Sequence, residues 1–421
     1  MPCARSFRPA FGQVSRQRCA RDSVFICHAL WERNFMTPSW FAIKSISASL
    51  LILSVSAVVF AQSKGINAAL LAKAKAGDAD AELRVADSYS QLGNEKESCR
   101  WEQMAAQNGN AVAQGILADA YEMGFCGLPK DYAQAAVWWR KAAVQGDSMA
   151  QDSLAHLYYI GQGVPQDYSK AADWWRKAAE QGVDTSQYDL GQCYAIGQGV
   201  PKDDSEATGW FHMAAEQGLV VAEDRFANAL LEGYGVTQST KDAVAWFQKA
   251  AAQGDTSAAI LLGQVFEYGG PPDIIRRPGG QSAAIPKDFA RAASWYSVAA
   301  NQGVPLAQDD LGHLYELGEG IPQDYAQAAQ LYRQAAQRGD SDAQLRLGLL
   351  YAQGHGVPQD YAEAYFWFDL AAAGKLDKAN AEAATTDRDQ VASYLSPADL
   401  SGVQERARKW FEDHAAKPPA Q

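Results

Sequence analysis

A short pattern returns along this chain at nearly constant spacing, and it limits the fold more than any other feature. Ala-Ala-x-x-Gly ends at Gly109, Gly146, Gly182, Gly218, Gly254, Gly303 and Gly339. The gaps are 37, 36, 36, 36, 49 and 36 residues. A degenerate copy precedes the series from Gly77, and another closes it at Gly374. Self-similarity at this period is the signature of a stacked repeat, in which each unit is too small to bury a core alone.

Each unit reads as helix, loop, helix. In residues 146–181, Ala150, Leu154, Leu157, Tyr158 and Gly161 fall on one face at helical spacing. Gly161-Gln-Gly-Val-Pro165 then breaks the helix, since glycine can take the left-handed backbone that closes a last turn. Asp167 is placed to cap the second helix, a slot filled elsewhere by Asp131, Asp203, Ser239, Asp288, Asp324 and Asp360. The second helix, Tyr168-Ser-Lys-Ala-Ala-Asp-Trp-Trp-Arg-Lys-Ala-Ala, offers alanines for close approach and tryptophans to fill the gap between hairpins.

The expected fold is therefore all-α: a right-handed superhelical α/α solenoid of about eight helix-turn-helix repeats, some sixteen helices, with a C-terminal capping helix. The copies span 77–108, 109–145, 146–181, 182–217, 218–253, 254–302, 303–338 and 339–374, after a lead-in helix within 62–76. Residues 375–421 form the cap and tail. Ser396-Pro397 opens a helix of about 18 residues containing Val403, Ala407 and Trp410.

The repeat unit, Ala-x-x-x-Leu-Gly-x-x-Tyr-x-x-Gly-x-Gly-Val-Pro-x-Asp-Tyr-x-x-Ala-x-x-Trp-x-x-x-Ala-Ala-x-x-Gly, resembles the Sel-one-like repeat (SLR) family, a relative of the tetratricopeptide repeats. Ala307 to Gly339 follows it almost throughout, and the resemblance covers residues 77–374. The first copy departs from it: it lacks the Gly-x-Gly-Val-Pro loop. The resemblance implies a scaffold or adaptor that binds other proteins along a superhelical surface. Some secreted bacterial relatives are linked to host interaction or to β-lactam binding, so the alternative is a cell-wall or β-lactam-related ligand-binding protein or hydrolase.

The N-terminus has a different composition. Residues 1–35 carry six arginines, two acids and three of the six cysteines. From Met36 the pattern is that of a secretory signal peptide: Lys44, an apolar stretch from Ile46 to Phe60, and small or aliphatic residues before a cut between Ala61 and Gln62. The apolar stretch is shorter than the ~20 residues a membrane-spanning helix needs. Residues 36–61 are thus expected to direct export, with Met36 as the true start and 1–35 an over-extended gene start; a genuine extension before a signal anchor is the competing reading. The exported chain would be periplasmic or secreted from a bacterium, with no stable membrane insertion once the signal is removed.

Without residues 1–61 the chain holds 30 basic and 47 acidic residues, a net −17. That charge argues against nucleic acid as a partner. Three cysteines remain, in what would be an oxidising compartment. Cys193 takes the slot of Leu157 and Leu314 and reads as a small core residue. Cys99, near the start of the second helix of copy one, and Cys126, just past the first helix of copy two, lie at the meeting ends of antiparallel neighbours and are expected to form a disulfide.

No catalytic constellation stands out. Ser-x-x-Lys, His-Glu-x-x-His and His-x-His-x-Asp are absent from residues 62–421. Gly197-Gln-Gly199 follows a helix rather than a strand, so it reads as a helix end and not a phosphate loop. No enzyme activity, metal or cofactor is expected; the partner is a protein or peptide. Two surfaces are candidates for it. One is a column on consecutive first helices, opposite their apolar stripe: Asp119, His156, Gln192, Asn228, Gln264 and His313, with Tyr159, Asp152, Asp189, Glu267, Asp309 and Glu316 in neighbouring slots. The other is the insertion Pro271–Ala283 of the long copy, whose Ile274, Ile275, Arg276 and Arg277 would make a docking loop.

Overall fold

The computed structural model describes residues 66–270 and 285–414, and all the regular structure among them is helical. A lead-in helix, α1 (Ala68–Lys75), precedes eight hairpins. These pair α2 (Ala79–Gln91) with α3 (Glu95–Gln107), α4 (Ala111–Met123) with α5 (Tyr132–Val144), α6 (Ser148–Ile160) with α7 (Tyr168–Glu180), and α8 (Asp184–Ile196) with α9 (Asp204–Glu216). The series continues with α10 (Val220–Glu232) and α11 (Thr240–Ala252), α12 (Thr256–Tyr268) and α13 (Phe289–Asn301), α14 (Pro305–Leu317) and α15 (Tyr325–Ala336), and α16 (Ser341–Gln353) and α17 (Tyr361–Ala372). Two more helices, α18 (Lys378–Ala392) and α19 (Pro397–His414), end the described chain. From α1 to α18 each helix packs on the next along the row, as an all-α solenoid requires, and α19 packs on α17.

Helix ends are set by the chemistry the repeat supplies. Asp147 accepts a hydrogen bond from the Ala150 amide and caps α6; Gly161, in the left-handed region, ends it. Asp167 caps α7 in the same way, and Asp131, Asp203, Ser239, Asp288, Asp324 and Asp360 cap their helices. Eight residues past each of these seven caps stands one large ring: Trp139, Trp175, Phe211, Phe247, Tyr296, Tyr332 and Phe368. All seven are buried among fully enclosed alanines. Each contributes about 2–3 kcal/mol by leaving water.

Two devices join one copy to the next. The first is a ladder of glutamines. Gln151 donates its amide to the Ala143 carbonyl of the preceding copy and accepts from Gln181 of its own. Gln114 with Gln145 and Gln187 with Gln217 repeat the arrangement. In copy seven it is broken: Arg338 stands in the glutamine slot and donates to the Gly303 carbonyl, and Oε1 of the buried Gln308 has no partner. The second device is the loop. Its second glycine lies on the first turn of the preceding copy's second helix. A Cβ on Gly163 would sit 2.1 Å from the Tyr132 carbonyl oxygen, and φ is +71° there. The corresponding glycines of copies four, five, seven and eight approach Tyr168, Asp204, Ala290 and Tyr325 equally closely.

Copy one differs, as its sequence indicates. Its helices are joined by Leu92-Gly93-Asn94 alone. The loop of the next copy is one residue longer: Gly127, with φ +73° and followed by Leu128-Pro129, holds the slot of the loop's second glycine, and Cys126 before it, with φ +57°, is joined by a disulfide to Cys99 on α3, the Cα atoms 5.5 Å apart.

Helix α19 has the 18 residues expected from Ser396-Pro397 onward, with Val403 and Ala407 buried against α17. Arg406 pairs with Glu363 at 2.6 Å and lies 3.8 Å over the Phe366 ring. Helix α18 was not foreseen; it packs on α17, as α19 also does, and is held there by Arg388 and Asp369 at 3.1 Å.

Candidate functional site

The first helices carry the predicted column. Its residues stand clear of the core at each level: His156 is exposed, and Asp119, Gln192, Asn228, Gln264 and His313 are half-buried. Their side chains are not all free to meet a partner. Gln192 donates to the Tyr188 hydroxyl at 2.8 Å, and Asn228 donates to the Asp224 carbonyl at 2.9 Å. Tyr159 packs as a core-edge ring, 5.3 Å from both Tyr168 and Trp175. Burial pushes its hydroxyl pKa above the usual value.

Side chains also link one first helix to the next along this face. The Ser186 hydroxyl on α8 donates to Asp152 on α6. Arg346 on α16 reaches His313 and lies 3.5 Å from Asp309, both on α14. These ties join the face across copies three and four and across copies seven and eight.

It is also acidic. Burial raises the Asp189 carboxyl to about 8, helped by the charge of Asp152. Asp224 is pushed up to about 6 by burial and by Asp255. Asp309 rises to about 7 for the same first reason, although Arg346 opposes it. Asp310, crowded by burial and by Asp309 and Glu267, lies well above the usual carboxylate range. Glu316 goes the other way: burial would raise it, but hydrogen bonds from His313 and Tyr332 outweigh that and hold it down. A carboxyl group raised in this way carries a proton more readily than one in water, or waits for a cation.

Near the disulfide, Cys99, Glu102 and Cys126 form the one group of three possible metal ligands that converges among the described residues. Both sulfurs are consumed by their bond to each other, so this geometry offers a metal no thiolate. Cys193 is buried, and burial drives its thiol up to about 12, which leaves it unreactive at neutral pH. His156 and His313, which share a slot, lie four copies apart. The insertion residues Ile274, Ile275, Arg276 and Arg277, and the cleavage pair Ala61 and Gln62, lie outside the described residues. The acids of the face were named only as neighbours of the column. That two adjacent carboxylates of copy seven become crowded was not foreseen, because slot numbering alone gives the side of a helix and not its depth.

Comparison with known proteins agrees with this architecture. The family model described as "Sel1 repeat" matches residues 111–147, 148–183, 185–219, 222–255, 279–304, 305–340 and 341–375. A Sel1 repeat protein from Oxalobacter formigenes is similar over 83% of this chain and 98% of its own, with 30% identity and a TM-score of 0.57. A protective antigen of uropathogenic Escherichia coli displaying an SLR fold is 26% identical over 85% of this chain and 99% of its own, with a TM-score of 0.37. A putative Sel1 repeat protein from Klebsiella pneumoniae is 24% identical over 45% of this chain and 94% of its own, with a TM-score of 0.30. No curated protein matches the chain.

Proposed function

The chain belongs to the Sel1 repeat family, a protein-interaction scaffold fold that is generally non-enzymatic, and from that premise we propose that it is a non-catalytic, exported scaffold. It binds an extended protein or peptide segment along the concave surface made by its first helices. The observation that carries this reading is the extent of the face: polar side chains stand outside the core at every level from Asp119 to His313, and two pairs of neighbouring levels are tied by Ser186–Asp152 and Arg346–His313. A surface of this kind can engage several residues of a ligand in register, which a single helix cannot. Export is supported by the signal-like segment 36–61 and by the Cys99–Cys126 disulfide, a bond that persists in oxidising compartments. The partner is a protein or peptide and not nucleic acid, whose phosphates the acidic face would repel. Among the described residues no helix is long and apolar enough to cross a membrane.

The test is in-cell crosslinking of the tagged protein starting at Met36, followed by affinity capture and mass spectrometry. It is run beside a His156→Ala/Gln192→Ala/Asn228→Ala variant and a deletion of Pro271–Ala283. A small set of exported proteins lost from the triple variant supports the face; loss only on the deletion moves the contact to the loop. Capture that neither change alters, or hydrolysis of a chromogenic β-lactam by the mature protein, overturns the reading.

A further inference from the structure

The second helices carry the other part of each copy's surface, and α5 of copy two differs from the rest. Two positions before its buried ring stands Val137, one and two after it Arg140 and Lys141, and five after it Val144. Both valines face water: Val137 is 45% exposed and Val144 71%, the highest value of any large apolar side chain described. Positions 137, 140, 141 and 144 are spaced three, four and seven apart, so they share one face of the helix. With Gln114 and Gln145 they line an open groove along α5. In copy three the valine slots hold Asp173 and Glu180. Asp173 pairs with Arg176, the counterpart of Arg140, at 3.8 Å. Copy two has no acid at either place. Arg140 instead donates to the Tyr158 hydroxyl at 2.5 Å, and Lys141 lies 3.6 Å over the Trp138 ring. These contacts hold the two cations in place without cancelling their charge. Among copies two to eight, α5 alone sets two cations between two apolar residues at these slots.

What would lie on this face follows from its charges. Residues 62–421 carry a net −17, so a basic strip is a local exception. A second copy set against it across a two-fold axis would bring Arg140 and Lys141 against themselves, and like charges opposed at an interface are costly. An anionic membrane would attract the strip but repel the chain that bears it. The fit is to a segment that is apolar at both ends and acidic in the middle. Val137 and Val144 are two helical turns, about 10 Å, apart along the axis. A helix with apolar residues seven apart, and carboxylates three and four residues into that interval, repeats the spacing with opposite charge.

We infer that the exposed face of α5, with Val137, Arg140, Lys141 and Val144, docks an acidic amphipathic helix of a partner protein. The valines cover its two apolar residues, and Arg140 and Lys141 meet its carboxylates. Because Arg140 is held by Tyr158 and Lys141 by Trp138, little side-chain freedom is lost when the carboxylates arrive. This surface belongs to a second helix and lies outside the first-helix column, so either can fail without the other.

The probe is a fluorescein-labelled peptide of about 18 residues, long enough to hold a helix, built on alanine and glutamine with two leucines seven apart and two glutamates between them. It is titrated into the full exported chain at about 0.15 M salt and read by anisotropy. The unaltered protein should bind one peptide, and a peptide with lysines in place of the glutamates should bind about tenfold or more weakly. Val137→Asp/Val144→Glu, which gives copy two the acids of copy three, should raise Kd about tenfold or more. Asp173→Val/Glu180→Val, which gives copy three the valines of copy two, should raise the stoichiometry from one peptide to two. No binding of the glutamate peptide, equal binding of both peptides, an unchanged Kd in the first variant or a stoichiometry fixed at one overturns the proposal. So does sedimentation of the protein with phosphatidylglycerol vesicles in place of peptide binding, which would make the ligand a lipid surface. Should the first variant lower the melting temperature, the second, judged by stoichiometry, decides.

Discussion

The junction between copies one and two and the junction between copies two and three solve one problem by different means. Both must hold the loop of one hairpin against the second helix of the hairpin before it. At the second junction Gly163 does so by fit, since with no side chain it can lie on the backbone of Tyr132. At the first junction the corresponding glycine, Gly127, has nothing within 4 Å of an added Cβ, and the residue before it, Cys126, instead makes a covalent bond to Cys99. Copy one has no glycine-rich loop of its own and, among the described residues, only α1 before it. A staple placed there compensates for burial that the end of a solenoid lacks.

The comparison can be broken from either side. The largest expected effect is at the staple. Cys99→Ser/Cys126→Ser opens a loop of 27 residues and should lower the stability of copies one and two by about 3.5 kcal/mol, seen as faster amide exchange in α1 to α4 and little change beyond α7. Equal acceleration throughout would mean that the junctions are not independent. Gly163→Ala comes next, at about 3 kcal/mol, because a methyl group meets fixed backbone and the left-handed φ adds strain. Its effect should centre on copies two and three, and an exchange pattern like that of the cysteine variant would refute the separation. Third, Cys126→Gly in a Cys99→Ala background should recover about 1 kcal/mol relative to Cys99→Ala/Cys126→Ala, since glycine relieves the positive φ at position 126. Smallest is Gly93→Ala, at about 1 kcal/mol: φ is +71° there too, but nothing lies within 4 Å of the added methyl. The difference between the Gly93 and Gly163 variants measures the contact alone, and two equal melting shifts would show that the close approach contributes nothing.

What could be read from the sequence follows the same division between local and distant causes. The repeat helices and the caps of seven second helices were legible because residues such as Asp167 and Gly161 act within one turn of where they stand. The ring eight residues past each cap was legible only as tryptophan-rich filling, although its slot is constant down the chain. Helix α18 left no periodic trace, since Ala384 and Val391 are its only buried residues. On the candidate site, slot position alone did not show how its groups are spent: Tyr159, Gln192 and Asn228 engage their own neighbours. Asp309 pairs at 3.5 Å with Arg346, 37 residues further on and in the next copy, and a pattern confined to one copy cannot register that contact.

The glutamine ladder has a consequence for the gene as well as for the fold. Gln151, Gln181, Gln187 and Gln217 present the same donor and acceptor to whichever copy stands beside them, at a spacing of 36 residues. Unequal recombination between the stretches encoding copies three and four would therefore delete or duplicate one unit and still deliver matched partners on both sides of the splice. Arg338 and the Cys99–Cys126 pair have no counterpart to exchange with. Lineages of this protein should vary in length by whole units in the middle, while the two ends stay single.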